Sequence, residues 1–166
     1  MRWYKLILSF SLTLFVLTIS AQKRSKVKLK VIIKMKSVED FRKPLKNTLN
    51  YIYLDGIIID SVFCLKNSMT YLLTPGHIYK IEFTKAEHIS KHVIINTIEV
   101  PNKKRKYIKL KADINLFKMK PNKNIDFLKS EPVSIAYYNH LKKTLVWDYD
   151  YNRSVVEKII HACLKK

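Results

Sequence analysis

The stretch LTPGHIYKIEFTKAEHISKHVIINT, residues 73–97, predicts two β-strands and the turn that leads into them. Pro75 and Gly76 suit the two central positions of a type II turn, because proline presets φ at the first position and glycine permits positive φ at the second. After this turn Tyr79, Ile81 and Phe83 alternate with polar residues. A period of two is typical of a strand with one buried face. The stretch therefore indicates a β-sandwich, and it contains no catalytic chemistry.

Other segments add short strands at spacings near ten residues. Asp55-Gly56, between 50–54 and 57–59, is a strong signal for a tight hairpin, because glycine tolerates the positive φ of a type I′ turn. Further strands are predicted over 69–73, 91–96 and 105–112. About seven strands with this spacing predict an all-β fold, a Greek-key β-sandwich.

The segment KVKLKVIIKMK, residues 26–36, predicts a strand with one apolar face and one lysine face. Two interpretations of the lysines stay open. They protect an exposed sheet edge from pairing with another molecule, or they form a site for anions.

The chain is predicted to divide into three parts: a signal peptide over 1–21, the sandwich domain over 22–113 and a C-terminal extension over 114–166. In the extension, residues 133–138 and 144–147 predict a small hairpin. Residues 151–164 have the apolar spacing of a helix. Asp150 or Asn152 is the expected N-cap.

Residues 1–21 have the pattern of a secretory signal peptide. Basic residues precede an apolar run, Leu6 to Ile19, that ends in Ser20-Ala21. This run is about 14 residues and reaches only about 21 Å, short of the ~30 Å hydrocarbon core of a membrane. We therefore expect export to the periplasm, the cell surface or the medium, with no permanent membrane span after cleavage.

The sequence is strongly basic. Its formal net charge is +19, and removal of Arg2 and Lys5 with the signal leaves 30 basic and 13 acidic residues, a charge of +17. Such a charge attracts phosphate-rich or carboxylate-rich surfaces. The sequence also holds 27 lysines, 20 isoleucines and 10 asparagines, all with A/T-rich codons, so codon bias and selected binding both stay open as causes.

The runs PLKNTLNYIYLDG, residues 44–56, and PGHIYKIEFTKAEHISKHVIINT, residues 75–97, resemble the carboxypeptidase-regulatory-like or transthyretin-like sandwich domains of secreted Bacteroidota proteins. In that group a Pro-Gly turn precedes a Tyr-x-Ile-x-Phe strand, two lysines and a strand that ends in threonine. The matching residues here are Tyr79, Ile81, Phe83, Lys85, Lys91 and Thr97. Glu87 and His88 stand where Gly-Tyr is usual. The resemblance implies a prealbumin-like fold and an envelope role, with no catalytic residues to carry over.

Two groups of residues are candidates for a site. One is the basic tract of Lys103, Lys104, Arg105, Lys106, Lys109 and Lys111, which together with Tyr107 has the aromatic and basic character of a polyanion-binding surface. The other is the pair Cys64 and Cys163, for which a disulfide and two separately buried thiols are both open. No catalytic or cofactor site is predicted, since the two glycines of the chain build neither a nucleophile elbow nor a phosphate loop. No metal site is predicted either, because His88 and His92, four apart in a strand, would lie about 13 Å apart.

Three functions remain open from the sequence. The first is a non-enzymatic exported module that binds or scaffolds an envelope protein. The second is a basic protein that binds an anionic polymer, such as an acidic glycan, lipopolysaccharide or extracellular DNA, without reading a nucleic-acid sequence. The third, and weakest, is a hydrolase.

Overall fold

The structure, a computed structural model, describes residues 28–39, 43–102, 107–119 and 125–164. These residues form nine strands and two helices. The strands are β1 (Lys28–Ser37), β2 (Thr48–Leu54), β3 (Ile57–Cys64), β4 (Ser68–Leu73), β5 (Ile78–Thr84), β6 (Lys91–Asn96), β7 (Tyr107–Leu116), β8 (Ser134–Asn139) and β9 (Thr144–Trp147). The helices are α1 (Phe127–Ser130) and α2 (Tyr149–Leu164).

The strands form two sheets, which confirms the predicted all-β sandwich. The three-stranded sheet has the order β4-β1-β7, and the six-stranded sheet has the order β3-β2-β5-β6-β8-β9. The chain crosses between the sheets from β1 to β2, from β3 to β4, from β4 to β5 and on either side of β7. Two neighbouring pairs are parallel, β1 with β7 and β6 with β8, and the others are antiparallel.

The alternation in the sequence correctly identifies the core. Leu29, Val31, Ile33 and Met35 are fully buried on the inner face of β1, and Tyr79, Ile81 and Phe83 are buried on β5.

One of the two interpretations of the β1 lysines is wrong. These lysines do not protect an edge, because β1 lies between β4 and β7 and has a hydrogen-bonded neighbour on each side.

Both predicted turns form. Asp55 and Gly56 have φ of 48° and 89°, as a type I′ turn requires, and the Asp55 carboxylate accepts a hydrogen bond of 2.9 Å from the Ile78 amide. Gly76 has φ of 93°, and its amide donates to the Thr97 carbonyl. The turns are therefore held by contacts with distant strands as well as by their own residues.

Most residues that carry the family resemblance have structural roles. The Tyr79 hydroxyl lies 2.8 Å from the Thr74 hydroxyl. The Lys85 ammonium donates to the Lys46 carbonyl, and the buried Thr97 hydroxyl accepts from the His77 amide. The motif thus stabilises turns and strand ends of the six-stranded sheet.

The C-terminal hairpin forms as β8 and β9, and β8 pairs with β6, so the hairpin extends the six-stranded sheet. The expected boundary after residue 113 falls inside β7, which continues to Leu116.

Helix α2 begins earlier than predicted, and its N-cap is neither Asp150 nor Asn152. Asp148 is the N-cap, since its carboxylate accepts from the Tyr151 amide at 3.0 Å.

Helices α1 and α2 contribute to a second apolar cluster, which includes Ile125, Leu128 and Val155. In the described ranges, no helix is both long and apolar enough to cross a membrane. The predicted signal peptide lies outside the described residues.

Candidate functional site

The outer face of the three-stranded sheet is dominated by lysines. On β1 and β7 the inward positions are apolar, so the alternate positions project to solvent. The outward lysines are Lys28, Lys30, Lys34 and Lys36 of β1 with Lys109 and Lys111 of β7. We call these six residues the lysine face.

The register of β1 and β7 places positive charges side by side. Lys30 is the direct neighbour of Lys109, and Ile32 is the neighbour of Lys111. Neighbouring strands are about 4.8 Å apart, and like charges at such positions destabilise a sheet. Asp113 is the one carboxylate at the outward positions of the three strands as described, and it pairs with Lys36 at 2.6 Å. Asp113 is also the direct neighbour of Lys34 in the register, so the other four lysines of the face, Lys28, Lys30, Lys109 and Lys111, have no acid directly beside them on the neighbouring strand.

The structure brings together two tracts that are far apart in the sequence. Lys109 and Lys111, both predicted as polyanion contacts, lie on this face beside the β1 lysines. Tyr107 is 57% exposed and is the neighbour of Lys28, which adds an aromatic ring to the basic surface. The other four predicted contacts, residues 103–106, lie outside the described residues.

Cys64 and Cys163 are free thiols in separate parts of the molecule. Cys64 is buried in the sandwich core, where its thiol donates to the Lys66 carbonyl at 2.9 Å. Cys163 is a residue of α2 and packs against the second cluster. Each cysteine has its own apolar surroundings. This arrangement agrees with two separately packed thiols, the second of the two possibilities that the sequence left open.

Sequence reasoning missed a buried lysine at the start of β6. Lys91 is only 5% exposed, its ammonium donates to the Asn115 carbonyl, and it lies 4.0 Å above the Phe117 ring. Burial lowers its pKa to about 7, although the charges of Cys163 and Glu39 oppose this shift. A signal was present: Lys91, Val93 and Ile95 alternate on one face of β6, and the other two are core residues.

Lys91 lies in the wall of a cavity of about 470 Å³ between α2 and β7. Residues 111–115 of β7 form one side, and the apolar side chains of Val155, Val156, Ile159 and Ile160 on α2 form the other. We call this space the α2–β7 groove. It combines an apolar wall with one buried amine.

The outer edge of the six-stranded sheet is unusually apolar. β3 has one strand neighbour, β2, and Ile57, Ile58, Ile59 and Phe63 are each more than half exposed. Leu72, on β4 at the edge of the three-stranded sheet, is also exposed, at 71%. A long, exposed apolar edge strand is suited to pairing with another chain.

Metal chemistry finds no support in the part of the chain that the structure describes, where no three potential ligands among His, Cys, Asp and Glu come together. His88 and His92 are both buried. The Nδ1 atom of His88 lies 2.8 Å from the Ala86 carbonyl oxygen, so this ring is oriented by the backbone.

Comparison with known proteins gives little guidance. No family model and no curated protein matches the chain. The fold is similar to the solved structure of catechol 1,2-dioxygenase from Acinetobacter sp. ADP1 inhibited by bound mercury, with a TM-score of 0.39 and 8% sequence identity. That likeness covers 67% of this chain and 57% of the dioxygenase chain, so this chain spans little more than half of it. It is too distant to bear on function.

Burial of Lys91 predicts a specific dependence of stability on pH. Between pH 7 and about 10.5 the unfolded chain binds a proton on this lysine that the folded chain does not, so the free energy of unfolding rises with pH. The contribution is at most about 1.4 kcal/mol per pH unit. Urea unfolding measures the free energy of unfolding at each pH. Between pH 7.5 and 9.5 its increase should be smaller in Lys91→Met than in the wild type by about 2 kcal/mol in total.

Lys142→Met is the matched control, because Lys142 is exposed in the turn between β8 and β9. The free energy of unfolding of this variant should rise with pH as it does in the wild type. A Lys91→Met profile parallel to the wild type would contradict the buried, weakly basic amine.

Proposed function

We propose that this protein is an exported, non-enzymatic binding module whose lysine face binds an anionic polymer by charge. The observation that carries the proposal is the register of β1 and β7, which gathers six lysines and one acid on a single face. The unneutralised charges repel each other in the free protein. A bound polyanion relieves this repulsion, so the same arrangement that costs stability favours binding.

The arrangement supports binding without recognition of a sequence. Outward residues of one strand recur about every 6.6 Å and form fixed rows of charge. The described face presents lysines, which act as point charges, and no arginine, whose planar group supports bidentate recognition. The basic tract at residues 103–106 directly precedes β7 in the sequence and remains part of the proposed contact surface.

The proposed location rests on the N-terminal sequence. A basic start, a short apolar run and Ser20-Ala21 support cleavage and export. The polymers available there are acidic glycans, lipopolysaccharide and extracellular DNA. Recovery of the uncleaved chain from the cytoplasm would contradict this location.

The salt dependence of binding tests the lysine face. With duplex DNA as the probe, about five contacts predict that log K falls with log salt with a slope of about −4 to −5, since each neutralised phosphate contributes about −0.9. Lys30→Ser, Lys109→Ser and Lys111→Ser, combined, should flatten the slope by about 2 to 3 units. Fluorescence anisotropy at several salt concentrations measures both slopes.

The matched control combines Lys46→Ser, Lys66→Ser and Lys142→Ser, which removes the same charge from exposed positions outside the face. It should leave the slope close to that of the wild type. Equal flattening by the two triple variants would show that the charge acts evenly over the surface, as codon bias predicts, and would overturn the local site.

A scaffolding role is a second candidate, and the apolar edge of β3 favours it. We propose a second copy of this chain as the partner. The exposed edge residues Ile57, Ile58, Ile59 and Phe63 form a largely apolar strand that complements its own copy in an antiparallel, two-fold pairing. Asp60 is the one charged residue of the strand.

Light scattering coupled to gel filtration tests this pairing. The wild type should form a dimer at tens of micromolar, and Ile58→Lys should be monomeric, because a charge on the edge opposes strand pairing. Leu141→Lys, at an exposed apolar position in the turn between β8 and β9, is the control and should remain dimeric. A monomeric wild type would remove the scaffolding candidate and leave the lysine face unaffected.

A further inference from the structure

The α2–β7 groove exposes a free strand edge. β7 pairs with β1 on one side, and the strand pairings of the described residues give it no neighbour on the other. The Leu116 carbonyl points toward β1, since it accepts from the Val38 amide that follows that strand. Alternate residues of a strand point their backbone groups to opposite edges, so Lys111, Asp113 and Asn115 point theirs toward α2.

Side chains already bind this edge at two positions, one at each end of the groove. The Trp147 indole donates to the Lys111 carbonyl at 2.8 Å, and the Lys91 ammonium donates to the Asn115 carbonyl. Asp113 lies between them, and its backbone N–H and C=O have no partner on that edge among the described residues. The segment 111–115 spans about 13 Å, which is the length of four extended residues.

The opposite wall offers an apolar surface for side chains. Val156 and Ile160 are one helical turn apart on α2, and they are 52% and 49% exposed although both line the groove. A strand added to β7 would project alternate side chains toward this wall. The groove therefore provides main-chain partners on one side and apolar contacts on the other, which is the arrangement of strand-addition sites.

Lys91 places a buried amine at the Asn115 end of the groove. Its ammonium has three N–H donors, and the described contacts use one on a carbonyl and place the group over the Phe117 ring. No carboxylate of the described residues forms an ion pair with it; the nearby Glu39 binds the Ser37 hydroxyl and the Lys118 amide instead. A buried amine is costly to charge without a paired anion, so a ligand carboxylate beside it stabilises the protonated form and is held by the resulting ion pair.

We propose that the α2–β7 groove binds the C-terminal end of an extended peptide, which adds to β7 as a parallel strand and places its α-carboxylate on the Lys91 ammonium. The direction follows from the position of Lys91 at the C-terminal end of β7. Val38 and Phe117 line the groove at this end, next to Leu116 and Lys91. Apolar side chains near the peptide terminus pack on Val156 and Ile160.

This site shares Lys111 with the lysine face but takes a different class of ligand. Surface charge alone would also attract peptide carboxylates, so the salt concentration has to separate the two effects. At 0.5 M salt the screening length is only a few ångströms, and attraction by exposed lysines is largely suppressed. Contact with the buried Lys91 is screened much less.

The experiment uses the full protein, immobilised, and a pool of hexapeptides with four randomised C-terminal residues, prepared once as free acids and once as C-terminal amides. Mass spectrometry quantifies the peptides that are retained at 0.5 M salt. Free acids with apolar C-terminal residues should be retained at least tenfold more than their amides. Their binding should also slow hydrogen exchange of the amides in 111–115, which a carboxylate contact alone would not do.

Three variants assign the binding to the groove. Lys91→Met should remove the preference for acids over amides. Val156→Asp combined with Ile160→Asp, at half-exposed positions that tolerate charge, should lower retention of both forms at least tenfold. Lys142→Met removes a charge elsewhere, and it should change neither the preference for acids over amides nor the retention of the two forms. If Lys91→Met does not fold, the double variant decides the outcome.

Several results would overturn the proposal. Equal retention of acids and amides would exclude capture of the α-carboxylate. Equal retention of amides that carry an internal Asp or Glu would show that an acidic side chain suffices. Absence of retained peptides, or retention unchanged in the double variant, would exclude the groove as a peptide site. None of these results would alter the expected binding of DNA to the lysine face.

Discussion

The parallel pairing of β1 with β7 is the contact on which both the core and the basic surface depend. In this register Leu29, Val31, Ile33 and Met35 face inward beside Ile108, Leu110, Ala112 and Ile114. A shift of one residue would turn the lysines into the core. Burial of each large apolar side chain contributes about 1.5–3 kcal/mol, whereas a like-charge neighbour costs about 0.2–1 kcal/mol. The core therefore holds the lysines together against their repulsion.

β7 also joins the two proposed sites through one strand. Its outward side chains, Lys109 and Lys111, belong to the lysine face, and its free edge forms one side of the α2–β7 groove. The same strand serves both because side chains project above and below a sheet while backbone groups lie in its plane. The apolar edge of β3 belongs to the other sheet, so contacts there involve neither of these surfaces.

The sequence predicted the features that local patterns determine. Asp55-Gly56 and Pro75-Gly76 identified their turns, and the alternation in β1 and β5 identified buried residues, because turn chemistry and strand periodicity act over a few residues. Lys109 and Lys111 were identified as exposed basic residues for the same reason. Long-range pairing has no such local signal. The sequence therefore did not show that β1 lies beside β7, and protection of a sheet edge stayed one of two interpretations of the β1 lysines.

Two other features depended on the assembled structure. The C-terminal hairpin was predicted, but its parallel pairing with β6 joins residues about 40 apart and was not. Lys91 was treated as a motif residue, although its period-two relation to Val93 and Ile95 placed it on an inward face. Its burial becomes clear only when Phe117 and α2 are in position above it. The proposed polymer on the lysine face leads to one direct question, which is the set of lysines that it covers.

Lysine acetylation footprinting with duplex DNA, read by mass spectrometry, addresses that question residue by residue. A low reagent concentration reports the accessibility of each amine with and without the polymer. Lys30, Lys109 and Lys111 should be protected together, while Lys46, Lys66 and Lys142 should react as in the free protein. Uniform protection of all exposed lysines, or protection that spares Lys30 and Lys109, would contradict a binding face created by the β1–β7 register.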